Sequence, residues 1–218
     1  MCLEPTEHDG GKMSERLPIH ELPYSAGLMS QSCWFVEFKK LVQMRSDGMD
    51  EQSIRKECLE NNLFGAVNEN RTKRMYGYLK NRLQNLDDDG IRLFINGDLS
   101  TQKLLNLIAI LRGDRLFFEF VYEVYREKAM LGQLEMTDQD VNVFFRTKGN
   151  QSDEVENFSD STKKHLKSNF LNCMADANLL RQEGRNRLIT VPIVDSRLAL
   201  YLELSGDKAI LSAISGVA

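Results

Sequence analysis

Arg71, Lys73, Arg74, Lys80 and Arg82 fall within NRTKRMYGYLKNRLQNL, residues 70–86, together with Tyr78 and without a single carboxylate. The 218-residue chain as a whole is acidic, with a formal net charge of -4. A charged helix face that is merely solvated usually mixes both signs and gains from pairs one turn apart. This stretch forgoes such pairs. A phosphate backbone outside the chain would supply the missing partner, because Lys and Arg facing phosphates release condensed counterions. Arg and Tyr together also suit phosphate and sugar contacts.

A second basic run lies at 162–190, where Lys163, Lys164, Lys167, Arg181, Arg185 and Arg187 outnumber Asp176 and Glu183. The three lysines sit in the first turns of a helix that starts at Ser159, Asp160 or Ser161, an end that is already positive. Two readings stand. Either the exposed amides and lysines form an anion site, or Asp160 caps the helix and offsets the charge. The order helix, Gly184/Asn186 turn and extended basic segment has the look of a winged helix, with Arg185 and Arg187 on the wing.

Other chemistry is thin. The histidines are His8, His20 and His165, and no nucleophile–base pair can be proposed from them. The chain has no GxSxG, P-loop, GxGxxG or HExxH. Asp87, Asp88 and Asp89 point in different directions on a helix, so they read as acids at a helix start rather than a metal site. Glu51, Glu57 and Glu60 read as a solvated face. Cys2, Cys33, Cys58 and Cys173 have no paired spacing, so neither a zinc site nor a disulfide framework is expected, but buried free thiols. The expectation is a protein that is not an enzyme and needs no cofactor or metal.

The elements that must position these residues are helical. Residues 25–45 place Leu28, Phe35, Phe38 and Val42 near one face, and 50–61 make a second helix. Projected at 100° per residue, the helix 70–86 puts Met75, Leu79, Leu83 and Leu86 on an apolar arc, with Arg71, Arg74, Tyr78 and Arg82 on an adjoining stripe. A short helix over 87–95 stops at Gly97. Ser100 caps 101–112 and Asp114 caps 115–131, read as the central buried helix. TDQD at 137–140 is a capping box. A long helix runs to about Arg181, RLITVPIV is extended, and a last helix begins at Asp195. The fold class is therefore all-α, a globular multi-helix chain with helix-turn-helix-like elements and a small C-terminal β-hairpin or wing. Its expected parts are a flexible acidic tail (1–22), a helical domain with the basic helix (23–150), a helical, winged-helix-like part (151–204) and a tail (205–218). Hydrophobic content of 42% supports a core, and the longest nearly apolar run, 104–111, is too short for a membrane span. A cytoplasmic protein, monomeric alone, is expected.

YSAGL (24–28), ENNLF (60–64), RTKRMYGYLKNRLQNLD (71–87), REKAMLGQLEMTDQDVNVFF (126–145) and STKKHLKSNFLNCMADANLL (161–180) carry a resemblance. In order and spacing, over roughly residues 24–195, they resemble the BrxA family, small NusB-like accessory proteins of BREX bacteriophage-exclusion systems. The resemblance implies an all-α fold and double-stranded DNA binding through a positively charged groove. It also implies other BREX proteins as partners and brings no catalytic residues. The groove would draw on Arg71, Lys73, Arg74, Lys80 and Arg82, with Lys163, Lys164 and Lys167. The NusB-like analogy alone raises an RNA-binding, antitermination-like factor as an alternative. A protein–protein adaptor using the basic face is the third reading. The acidic N-terminal tail and the segment after about 204 depart from the family.

Overall fold

Among the described residues, eight helices begin on a side chain that accepts a hydrogen bond from the backbone two or three residues on, and this chemistry sets the register of the chain. Asp50, Asn68, Asp87, Asp98, Asp114, Thr137, Ser159 and Asp195 are those caps; each satisfies an N–H that the helix itself cannot. The computed structural model describes residues 17–216. After 3-10 turns at Ile19–Glu21 and Gly27–Ser30, the helices are α1 (Phe35–Ser46), α2 (Glu51–Glu60), α3 (Glu69–Gln84), α4 (Asp88–Asn96) and α5 (Leu99–Leu111). Next come α6 (Arg115–Phe120), a π-helical turn at Val121–Tyr125, α7 (Arg126–Met130), α8 (Asp138–Gly149), α9 (Asp153–Glu156) and α10 (Asp160–Asp176). The hairpin β1 (Leu180–Glu183) and β2 (Asn186–Ile189) precedes α11 (Ser196–Leu204) and α12 (Lys208–Ser215). The fold is all-α apart from this two-stranded sheet.

α5 is the centre. It packs against α1, α3, α4, α6 and α10, and Leu104 through Leu111 are all buried. The run 115–131, expected as the central buried helix, lies at the flank instead. Its Arg115, Glu119, Glu123 and Arg126 need polar partners, and Phe118, Tyr122 and Val124 are only half-buried. Phe117 and Phe120 from this run meet Phe144, Phe145 and Phe170 in an aromatic cluster, with ring centroids 4.5 Å apart for Phe117 and Phe170.

Several boundaries differ from the sequence expectation. The first helix does not span 25–45: after the turn at Gly27–Ser30, residues 31–34 have no regular structure and α1 starts only at Phe35. Asp98, not Ser100, caps α5. α10 ends at Asp176 because Asn178 turns left-handed at φ 61° and β1 begins at Leu180. β1 and β2 pair antiparallel through a two-residue turn. There Gly184 has φ +60°, as the first central position of a type II′ turn requires. Residues 134–136 add a third short edge: Ile189 N donates to Leu134 O and Met136 N to Arg187 O. Residues 205–218, expected as a tail, contain α12, whose Ile210, Ala213 and Ile214 are fully buried against the π turn and α7. Of the expected N-terminal tail, residues 1–16, with Cys2 and His8, lie outside the described residues.

Candidate nucleic-acid interface

The α3 stripe is less uniform than its sequence. Asn68 caps the helix by accepting from Arg71 N at 2.8 Å. Lys73 pairs with Glu69 one turn back at 2.6 Å. Lys80 pairs with Glu51 of α2, and that bond raises its pKa. Both are thus locally neutralised. Arg71 and Arg74 are exposed and have no ion pair or side-chain hydrogen bond among the described residues. Tyr78 is half-buried; its hydroxyl shares a hydrogen bond with Ser30 at 2.7 Å, and its ring stacks on Trp34.

Arg82 does not belong to the stripe. It is 3% exposed, and its guanidinium donates to the carbonyls of Ser32 and Cys33 and to Asn106 Oδ1 at 3.0 Å, beneath the ring of Phe38. It is therefore unavailable to any external ligand. The helical period accounts for this. Arg82 follows buried Met75 by seven residues, about 20° around the helix, but follows Arg74 by eight, about 80°. The side chain looks inward, where two loop carbonyls, of Ser32 and Cys33, and the Asn106 amide oxygen of α5 accept from it.

The second basic cluster is assembled from three elements. Ser159 caps α10, accepting from Thr162 N at 3.1 Å, so Asp160 is not the cap but sits in the first turn. Lys163 Nζ donates to Glu156 O at 3.3 Å, and Lys164 is exposed. Lys167 and Arg187 share one carboxylate, Asp138, at 2.8 and 2.9 Å. The hydrogen bond from Lys167, reinforced by Arg187, holds the Asp138 carboxyl below its ordinary range. A cleft of about 600 Å³ opens between α8, α9 and α10. Arg146 on α8 lines it with Lys163, Lys164 and Lys167, and Asn142, Phe145, Asn150, Glu156 and Asp160 line it as well. Arg185, at the hairpin tip, is exposed and unpaired among the described residues. Arg146 was missed by sequence reasoning, although a cation in the last turn of a helix whose Phe144 and Phe145 face the core signals a solvent-side position.

The structure joins α10 to the hairpin through Asp138 but does not join either to the α3 stripe. Asn169 ties α10 to the loop beside Tyr78, donating to Leu28 O at 2.7 Å. Asn169 and Lys167 leave the helix about 200° apart. The cleft lysines and Arg71/Arg74 therefore occupy different flanks of the molecule.

The remaining polar groups are structural. Glu119 accepts from Tyr24 (2.8 Å) and Arg115 (2.7 Å) and pairs with Lys148 (2.6 Å). Burial alone would raise the Glu119 carboxyl, but these bonds outweigh it and hold it low. Lys148 also pairs with Glu123 at 2.6 Å; its pKa rises because these bonds overcome burial. Cys33, Cys58 and Cys173 are buried free thiols. Contact with Cys173, then burial, pushes the Cys33 thiol well up. It is held as the unreactive thiol rather than the thiolate. What the exposed geometry offers is anion contact.

A family model described as BrxA matches residues 22–206. A BREX protein BrxA from Bacillus cereus (strain H3081.97) is 31% identical over 198 residues, covering 91% of this chain and 99% of that protein. A BREX protein BrxA from Escherichia coli O9:H4 (strain HS) is 20% identical over 180 residues, covering 83% and 84%. A crystal structure of an uncharacterized protein from Magnetospirillum magneticum shares the fold, with a TM-score of 0.76 at 15% identity over 88% of this chain and 98% of that one. With the match running through the capped helices, the buried arginine and the basic cleft alike, the chain belongs to the BrxA family.

Proposed function

We propose that this chain is a non-enzymatic, double-stranded-DNA-binding component of a BREX bacteriophage-exclusion system. In this reading its basic α8–α10–hairpin face contacts the phosphate backbone. Family membership supports the system. The observation that carries DNA contact is the convergence of Arg146, Lys163, Lys164 and Lys167 on one cleft, with Arg187 of the hairpin joined to Lys167 through Asp138. Cations gathered from distant sequence with exposed heads are a phosphate footprint. Arg71 and Arg74 form a smaller, separate one.

Duplex binding measured by fluorescence anisotropy across a salt series tests the reading. The wild type should bind with a steep salt slope, each phosphate contributing about 0.9 to it. Lys163→Glu/Lys164→Glu, with folding checked by circular dichroism, should flatten the slope. Equal binding by a folded variant removes the cleft from the interface. Absence of wild-type binding sinks the reading.

One observation favours a protein partner as well. Leu131, Leu134, Val191 and Ile193 are 73%, 76%, 51% and 93% exposed near the base of the hairpin. Grouped exposed aliphatics mark contact surfaces, and another BREX protein is the partner this reading supplies. Capture of a BREX partner that survives Leu131→Asp/Leu134→Asp would reject that surface.

A further inference from the structure

Residues 28–34 have little regular structure yet are fastened from both sides. Asn169 of α10 donates to Leu28 O and Met29 O at 2.7 and 3.1 Å. Arg82 of α3 donates to the carbonyls of Ser32 and Cys33, and Asn106 of α5 donates to Cys33 O at 3.1 Å. The next residue, Trp34, is held at φ 42°, ψ 46°, a left-handed conformation that a bulky side chain rarely adopts. Such a residue persists only where its surroundings over-determine it, and such positions cluster at ligand clamps. Burial alone does not account for it, since Trp34 is only half-buried. Its indole stacks on Tyr78, with ring centroids 6.2 Å apart and planes at 29°. Arg74 lies one helical turn before Tyr78 and Arg71 nearly two turns before it, both exposed and unpaired among the described residues.

We propose that Trp34 and Tyr78 form a preorganised stacking platform for an unpaired nucleobase, with Arg74 and Arg71 taking the phosphates of the adjoining single strand. Every base has a π-face, so recognition is tolerant of sequence, and arginines beside an aromatic pair track the backbone. The platform is separate from the α8–α10 cleft, so one chain can hold a duplex on one flank and an unpaired strand on the other.

Trp34 is the chain's only tryptophan, so its emission reports on this site alone. Oligothymidylate and oligouridylate are titrated separately, beside a blunt DNA duplex. Saturable quenching by a single strand is expected, and the two titrations distinguish DNA from RNA as its source. In anisotropy with labelled oligonucleotide, Trp34→Gly should lose about ten-fold or more in single-strand affinity while duplex affinity stays unchanged. Glycine accepts the left-handed backbone without penalty, so this variant stays folded, and Trp34→Phe should retain most of the binding. Single strands that bind without quenching, or equally to Trp34→Gly, overturn the platform. Duplex binding that depends on Lys163 and Lys164, with no single-strand binding, overturns it while leaving the proposed function standing. If no nucleic acid binds, both fall.

Discussion

The guanidinium of Arg82 lies 3.0 Å from Oδ1 of Asn106, and both groups converge on the carbonyl of Cys33 inside the protein. Burial pulls the Arg82 pKa below its ordinary value, and no carboxylate bonds to the group. It is kept by neutral acceptors alone, of which Ser32 O would lose the donor that Arg82 supplies, while Cys33 O would keep only Asn106. Replacing it removes the three hydrogen bonds of a buried guanidinium and leaves the Ser32 carbonyl without that donor.

Arg82→Ala is therefore expected to destabilise the fold by about 3–5 kcal/mol, the range for breaking a buried charged network. Arg82→Lys should recover little, because one ammonium cannot reproduce a planar fork of donors. Arg71→Ala, at an exposed unpaired site, should change stability by less than about 0.5 kcal/mol. Urea unfolding of the three variants checks this. An unmoved midpoint for Arg82→Ala would mean that the side chain faces solvent.

Asp114 offers a pH prediction. It is buried, caps α6 by accepting from Phe117 N at 2.8 Å, and burial raises its carboxyl to about 6. A raised carboxyl binds its proton more tightly in the native state than in the unfolded chain. The associated stabilisation is complete below the unfolded pKa of about 3.9 and disappears as pH rises through 6. Asn caps a helix equally well and does not titrate. Between pH 5 and pH 8 the wild type should thus lose roughly 1–2 kcal/mol relative to Asp114→Asn. Parallel pH dependences for the two proteins would show that Asp114 stays ionised.

A third prediction concerns the C-terminus. Arg112 donates to Asp207 at 2.6 Å, to Tyr201 Oη at 2.8 Å and to Asn85 O at 2.7 Å, and Tyr201 donates to Asp87 at 3.0 Å. Gly90 sits where an added Cβ would fall 2.5 Å from Tyr201 Oη, so this junction is tight. The match to the BrxA family model ends at residue 206, yet α12 buries Ile210, Ala213 and Ile214. Removing 207–218 would expose apolar surface on α7 and strand a buried guanidinium. Asp207→Ala alone should cost about 3–5 kcal/mol, and the truncation more. Thermal unfolding of both measures it; a truncated chain as stable as the full one would show that α12 is dispensable.

Much of this was legible in local chemistry. The TDQD capping box, the cap at Asp114, the last-helix start placed at Asp195 (its cap in the structure), the stop at Gly97 and the apolar positions Met75, Leu79 and Leu86 all stand in the structure. Caps and helical periods act within a few residues, so a sequence displays them. The pairing of Lys80 with Glu51 and the sharing of Asp138 by Lys167 and Arg187 were not legible, because 29 and 49 residues separate such partners. The missed pair of Lys73 with Glu69 is different: the carboxylate stands one turn away, just outside the basic stretch. α12 was hidden by its Gly and Ser content, since its stability comes from the surface it covers rather than from propensity. Arg82 was misread because its residue type outweighed its seven-residue spacing from Met75.

Asp138 gives the sharpest test of the cleft face, since it predicts a gain. Its carboxylate occupies both Lys167 and Arg187, yet it is 63% exposed, so the pairs contribute little to stability. Thr137 and Asp140 keep the capping box of α8 without it, and loss of one first-turn acid costs about 0.3–1 kcal/mol. Asp138→Asn should therefore fold normally while freeing two cations for phosphate. Duplex affinity should rise, and the salt slope should steepen by up to about 0.9 for each cation released. The same substitution made with Lys167→Gln/Arg187→Gln should give no gain. A neutral Asp138→Asn would place the DNA-contacting surface away from the hairpin side of the cleft, leaving Arg146, Lys163 and Lys164 to carry it.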